Sequence, residues 1–138
     1  MKLNPYLNFN GNCREAFERY QQILGGQLQV MTHGQAPACE QIPADWHDRV
    51  MHAALCVDDQ VLMGSDMPPE PGAGAAAHGM AVTLNFDGAA EADTAFAALA
   101  DGGQVRMPIG ETFWAERFGM VVDRFGTPWL VNGALRNC

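Results

Sequence analysis

Glu111-Thr112-Phe113-Trp114 sets a carboxylate beside two aromatic rings, directly after a run, Gln104–Ile109, that reads as a strand. A carboxylate pressed among aromatics loses solvent, which raises its pKa toward the range of a catalytic acid or base, or of a group that hydrogen-bonds a ligand. The competing reading of Glu111 is an exposed residue at a loop start, or one paired with Arg117 or Arg124, and the residues alone leave both open. Trp114 offers a flat apolar surface with one N–H donor, suited to stacking on a ligand and equally to packing or a subunit interface. Arg117 and Asp123-Arg124 are expected to form an ion pair that fixes the last hairpin, rather than a clamp on a substrate carboxylate.

A second group of polar side chains is defined by strand parity. In Tyr6-Leu7-Asn8-Phe9 the apolar Leu7 and Phe9 share one face, which leaves Tyr6 and Asn8 on the other, and Thr83-Leu84-Asn85-Phe86 repeats the pattern. His52 shares a face with Ala54 and Cys56. Tyr6, Asn8, His52, Thr83 and Asn85 can therefore orient a small polar ligand or satisfy one another's hydrogen bonds. A metal is harder to place: His52 and Cys56 stand four residues apart on one strand, roughly 13 Å at about 3.3 Å per residue. His33, His47 and His78 read as surface histidines at loops or strand ends. The four cysteines (Cys13, Cys39, Cys56, Cys138) form no C-x-x-C pair and read as free thiols, Cys13 and Cys56 as small buried hydrophobes.

The elements that must hold these residues follow from a repeat. Leu7-Asn8-Phe9-Asn10-Gly11 returns as Leu84-Asn85-Phe86-Asp87-Gly88, and Gly25-Gly26-Gln27-Leu28 as Gly102-Gly103-Gln104-Val105, both at an offset of 77. Between them lie helical patterns, Cys13, Ala16, Phe17 and Tyr20, then Ala92, Ala95, Phe96 and Leu99, which predict helices over Asn12–Leu24 and Ala89–Ala100. Asn12 is expected to cap the first helix with Glu15, and the double glycines to end both. Strands are expected at Gln27–His33, Arg49–Val57 and Gln60–Ser65, with an Asp58-Asp59 turn. Their second-copy counterparts are Gln104–Ile109, Phe118–Asp123 and Pro128–Asn132, with Arg124–Thr127 as the turn. The fold class is thus α+β, two tandem βαβββ modules forming curved sheets around a cleft: module one 1–66, a linker 67–79 rich in Pro, Gly and Ala, and module two 80–138, in one domain.

With 138 residues, 48% apolar and 17% charged, the chain has the composition of a globular domain. A net charge of −8, from 16 acids against 8 Lys and Arg, sets it against nucleic acid. No run approaches the roughly 18 apolar residues of a membrane span, and Met1-Lys2-Leu3-Asn4-Pro5 lacks a signal-peptide core, so a cytoplasmic protein without a membrane partner is expected.

A duplicated βαβββ module resembles the vicinal oxygen chelate superfamily of glyoxalases, extradiol dioxygenases and bleomycin-resistance proteins. Pro5-Tyr6-Leu7-Asn8-Phe9-Asn10-Gly11-Asn12-Cys13, Glu111–Gly119 and Asp123-Arg124-Phe125-Gly126-Thr127-Pro128-Trp129 are similar to its PhnB-like branch. The resemblance implies metal-ligand positions at Asn4, Ala81, Leu130 and either Met63 or Gly64, none of them an ordinary ligand for a divalent ion. No metal and no cofactor are therefore expected. It also implies a homodimer and a small-molecule ligand, which the candidate contacts Tyr6, Asn8, His52, Thr83 and Trp114 would sequester; the alternative is a glyoxalase-like lyase or other small-molecule enzyme, with Glu111 as the catalytic acid or base or with a metal held at positions other than these. Some relatives carry a demethylubiquinone methyltransferase label, but the sequence has no glycine-rich loop for S-adenosylmethionine.

Overall fold

The computed structural model describes residues 1–35, 43–67 and 79–136. Cys39, His78, Cys138 and most of the expected linker lie outside the described residues. The chain divides into two compact units, Met1–Ala75 and Ala76–Cys138. In the first, β1 (Tyr6–Phe9) leads to α1 (Cys13–Leu24), β2 (Gln27–Thr32), β3 (Val50–Val57) and β4 (Gln60–Asp66), with short 3-10 turns at His33–Gln35 and Ala44–Trp46. The second repeats this order with β5 (Val82–Phe86), α2 (Ala89–Ala100), β6 (Gln104–Gly110), β7 (Ala115–Val122) and β8 (Pro128–Leu135). The sheets run β1-β4-β3-β2 and β5-β8-β7-β6. In each, the first strand is parallel to the last and the other pairs are antiparallel. The chain is α+β, built of two βαβββ modules, as the repeat predicts.

Each helix lies on one face of its sheet, and the residues it buries are the eight that the spacing picks out: Cys13, Ala16, Phe17 and Tyr20, then Ala92, Ala95, Phe96 and Leu99. Glycines make room for the rings. A Cβ at Gly64 would meet Phe17 Cε2 at 2.7 Å, and one at Gly119 would meet Phe96 Cε2 at 2.6 Å. Such overpacking leaves no relaxed alternative in a close-packed core.

The start of α1 departs from expectation. Asn12 makes no side-chain cap. Instead Asp66, at the end of β4, reaches across: its Oδ1 accepts N–H bonds from Gly11 at 2.9 Å and Cys13 at 3.0 Å, and its Oδ2 accepts one from Val50 at 2.9 Å. One buried carboxylate thus joins the β1–α1 turn, the start of β3 and the end of β4. In the second unit the residue paired with Phe86 is Gly133, where a Cβ would lie 2.5 Å from the Ala92 methyl, so helix and strand touch directly.

The last hairpin is also fixed differently. Arg117 reaches Asp93 on α2 at 3.0 Å, not Asp123, and Arg124 pairs with Asp101 at 3.1 Å. Asp123 accepts N–H bonds from Phe125, Thr127 and the Trp129 indole at 2.8–3.0 Å, which closes the turn from inside. Near neighbours in sequence suggested an ion pair, but the carboxylate is buried and its backbone donors lie closer.

Asp66→Asn is expected to destabilise the protein by about 2–3 kcal/mol, because an amide turns one accepting oxygen into a donor that faces a backbone N–H. For a chain of this length that lowers Tm by roughly 5–12 °C, and an unchanged melting curve would refute the role given to Asp66.

Burial, and then the Asp66 charge, push the Cys13 thiol up from 9.0 to about 12. The folded state then holds a proton that the unfolded state releases, so stability is full below pH about 9 and falls as pH rises toward 12, by at most about 1.4 kcal/mol per pH unit. Cys13→Ala is expected to flatten the alkaline limb of a urea-stability profile, with wild type and variant parallel below pH 8.

Candidate functional site

The helix-free face of the second sheet carries a row of cross-strand partners: Asn85 on β5, Asn132 on β8 and Phe118 on β7. Cross-strand partners share a face, so all three point away from α2. Trp114, immediately before β7, joins them. Its ring stands edge-on between Phe113, at 4.9 Å, and Phe118, at 5.0 Å, and its indole N–H donates to Asn132 Oδ1 at 3.2 Å. Asn132 Nδ2 in turn donates to Asn85 Oδ1 at 3.0 Å. Thr83 is exposed two residues before Asn85 on the same face.

The segment carrying Trp114 is clamped by a residue that the sequence did not single out. Arg136 donates from Nη1 to Thr112 O at 2.9 Å and from Nη2 to Glu111 Oε2 at 2.9 Å, and its backbone N–H donates to Trp114 O at 2.7 Å. Glu111 is therefore paired with Arg136, rather than Arg117 or Arg124. Its side chain is 69% exposed, so the desolvation expected from its aromatic neighbours is not what the structure gives. The rings turn to Phe118 and Asn132, while the carboxylate turns outward to the guanidinium.

On the first sheet, Gly64 faces α1 and Met63 therefore lies on the helix-free side, with its partner Tyr6. Asn8, paired with Ser65, shares that side. The Tyr6 hydroxyl spans β4 to share a hydrogen bond with His52 Nδ1 at 3.3 Å, their rings 5.8 Å apart. Parity placed Tyr6, Asn8 and His52 on this face, and the Tyr6–His52 contact joins two of them. His33 and His47 are half-buried, His33 edge-on to Trp46 at 5.8 Å. Cys13 is buried and Cys56 half-buried.

The register also fixes the fourth position that family resemblance left open. Met63 stands opposite Tyr6 as Leu130 stands opposite Thr83, so Met63 and not Gly64 is the counterpart of Leu130. Asn4, Ala81, Met63 and Leu130 supply an amide, a methyl, a thioether and an isobutyl group. They do not fit a hard or borderline divalent ion, which takes His nitrogen, thiolate or carboxylate. Among the described residues, no three His, Cys, Asp or Glu side chains stand where they could hold a metal ion.

Residues 2–131 match the model of the Glyoxalase/Bleomycin resistance protein/Dioxygenase superfamily. The chain belongs to that superfamily. Protein YjdN of Escherichia coli K12 is 34% identical over 142 residues, spanning 96% of this chain and 95% of its own. The crystal structure of PA1353 from Pseudomonas aeruginosa is similar at 50% identity and a TM-score of 0.87, over 96% of this chain and 97% of its own. The PhnB protein of Bacillus cereus shares the fold at 24% identity and a TM-score of 0.78, over 97% of this chain and 100% of its own.

Because Arg136 and Glu111 are exposed, their pair contributes little to stability. Arg136→Ala is expected to change Tm by less than about 3 °C, yet to broaden the Trp114 indole N–H resonance and raise acrylamide quenching of tryptophan. A sharp, unshifted indole signal in the variant would remove Arg136 from the positioning of Trp114.

Proposed function

We propose that this chain is a small-molecule binding protein of the glyoxalase superfamily that works without a bound metal, in the manner of members that sequester a toxic or antibiotic compound. Each unit by itself supplies candidate ligand contacts on its helix-free face: Tyr6, Asn8 and His52 in the first, and Thr83 and Trp114 in the second. The observation that carries this reading is the half-buried Trp114, held between two Phe rings with its one donor already engaged. A ring fixed in this way stacks on a planar ligand at little entropic cost. The donor sets at the family's ligand positions support metal independence, and the outward pairing of Glu111 with Arg136 favours binding over acid–base catalysis. A homodimer belongs to the same reading, supported by the exposed Val105 and Met107 on the edge strand β6. Among the described residues no helix is long and apolar enough to cross a membrane, and the net charge of −8 weighs against a nucleic-acid partner.

A thermal-shift screen of aromatic metabolites and antibiotics, run with and without EDTA, tests the reading. At least one organic compound is expected to raise Tm equally in both series, and Trp114→Phe to lower its affinity about tenfold or more while the free variant melts near wild type. A stoichiometric Zn, Ni, Mn or Fe ion in the purified protein would overturn it. So would turnover of the bound compound that Glu111→Gln abolishes, which would make Glu111 the catalytic residue of an enzyme.

A further inference from the structure

The hydrogen bonds on the helix-free face of the second sheet have a direction, and it is set at one end. An indole N–H can only donate. Asn132 must therefore present its oxygen to Trp114, at 3.2 Å, which turns its NH2 toward Asn85, at 3.0 Å. Asn85 must in turn receive that bond on its oxygen. Amide orientation is ordinarily ambiguous, because oxygen and nitrogen look alike, but here the chain of donors admits a single assignment. The Asn85 NH2 is left pointing outward: the residue is exposed, and among the described residues the amide nitrogen has no protein partner.

We infer that the Asn85 NH2 is a recognition point for a neutral carbonyl oxygen on a planar ligand stacked at Trp114. The inference rests on the binding function proposed above and names the ligand class. Cross-strand register and parity put Thr83, Phe118, Met120, Leu130 and Asn132 on the same face, and none of these carries a positive charge. Glu116 shares that parity and is exposed, and the chain as a whole carries a net charge of −8. An oxyanion would meet no cation among these positions, and the Arg136 guanidinium beside Trp114 is already engaged by Glu111 and Thr112, whereas an amide, ketone or lactone oxygen needs only the donor that Asn85 supplies. A ligand offering an N–H donor instead would face the Asn85 NH2 donor to donor.

Three probes of similar size on one phenyl ring separate the possibilities: benzamide, benzoate and benzylamine, titrated into the 15N-labelled protein. The Trp114 indole N–H reports occupancy of the face and the Asn85 side-chain amide reports the acceptor. Benzamide is expected to move both signals with a Kd about tenfold below that of benzoate or benzylamine, the usual worth of one well-made hydrogen bond. Asn85→Asp keeps the oxygen that accepts from Asn132 but deletes the outward NH2. It should leave the free protein's Trp114 signal in place and bring benzamide down to the weaker probes. If all three probes move Trp114 alike and Asn85 stays still, the inference fails while the binding function stands. If no probe moves either signal up to its solubility limit, the inference fails, and the binding function is left to the thermal-shift screen. Unchanged benzamide affinity in Asn85→Asp also overturns the assignment.

Discussion

A β-sheet has two faces, and each unit of this chain has one helix to cover them. Everything else in the molecule depends on that inequality. Alternation along each strand sends Leu7, Phe9, Leu84 and Phe86 under the helices, so what stands between them is displayed on the other side. Those positions carry Tyr6, Asn8, Thr83 and Asn85, exposed uncharged polar groups that can exchange directional hydrogen bonds with a ligand or with one another. The faces without helices are therefore where chemistry has to be sought.

The two units meet the same closure problem by different means. Where β1 hands over to α1, three backbone N–H groups converge, and the Asp66 carboxylate satisfies all of them. At the corresponding register position of the second unit, Gly133 lets Ala92 sit against the strand, and no side chain is needed. A buried acceptor with three donors tolerates little movement, since each unmade bond leaves a desolvated polar group. Direct packing tolerates little growth, since even a methyl at Gly133 would collide. Duplication preserved the arrangement of elements and left the physical means free to diverge.

Much of the fold was legible because it rests on periodicity. The helix-facing residues, both helix spans to within one residue, and the parity of Tyr6, Asn8 and His52 follow from spacings of 3.6 and 2. The site was legible only in part, because its remaining members are fixed by register. Asn132 and Phe118 matter only once Asn85, Asn132 and Phe118 are aligned across three strands, and no local pattern gives that alignment. The repeat itself misleads there: the offset of 77 between Leu7 and Leu84 becomes 67 between Met63 and Leu130, since the first unit holds a longer connection before β3. Arg136 was invisible for the same reason. Glu111 drew attention through its neighbours in sequence, whereas its partner lies 25 residues on, beside it only after β7 and β8 pair.

That pairing also explains how a loop can serve as a precise element. Loops ordinarily carry mobile side chains, which suits a gate better than a recognition surface. The connection between β6 and β7 is instead bonded along its length to the end of β8, by Arg136 to the backbone of Thr112 and Trp114 and to the Glu111 carboxylate. The charged pair is exposed and adds little to folding, but it holds backbone that no sheet ladder reaches. Trp114 then passes the constraint inward. Its indole can only donate, so fixing its position also fixes the polarity of every amide bonded after it. A surface arginine contributes in this way to the orientation of Asn85, which it does not touch, and a polar row that solvent would otherwise randomise presents one arrangement of donors.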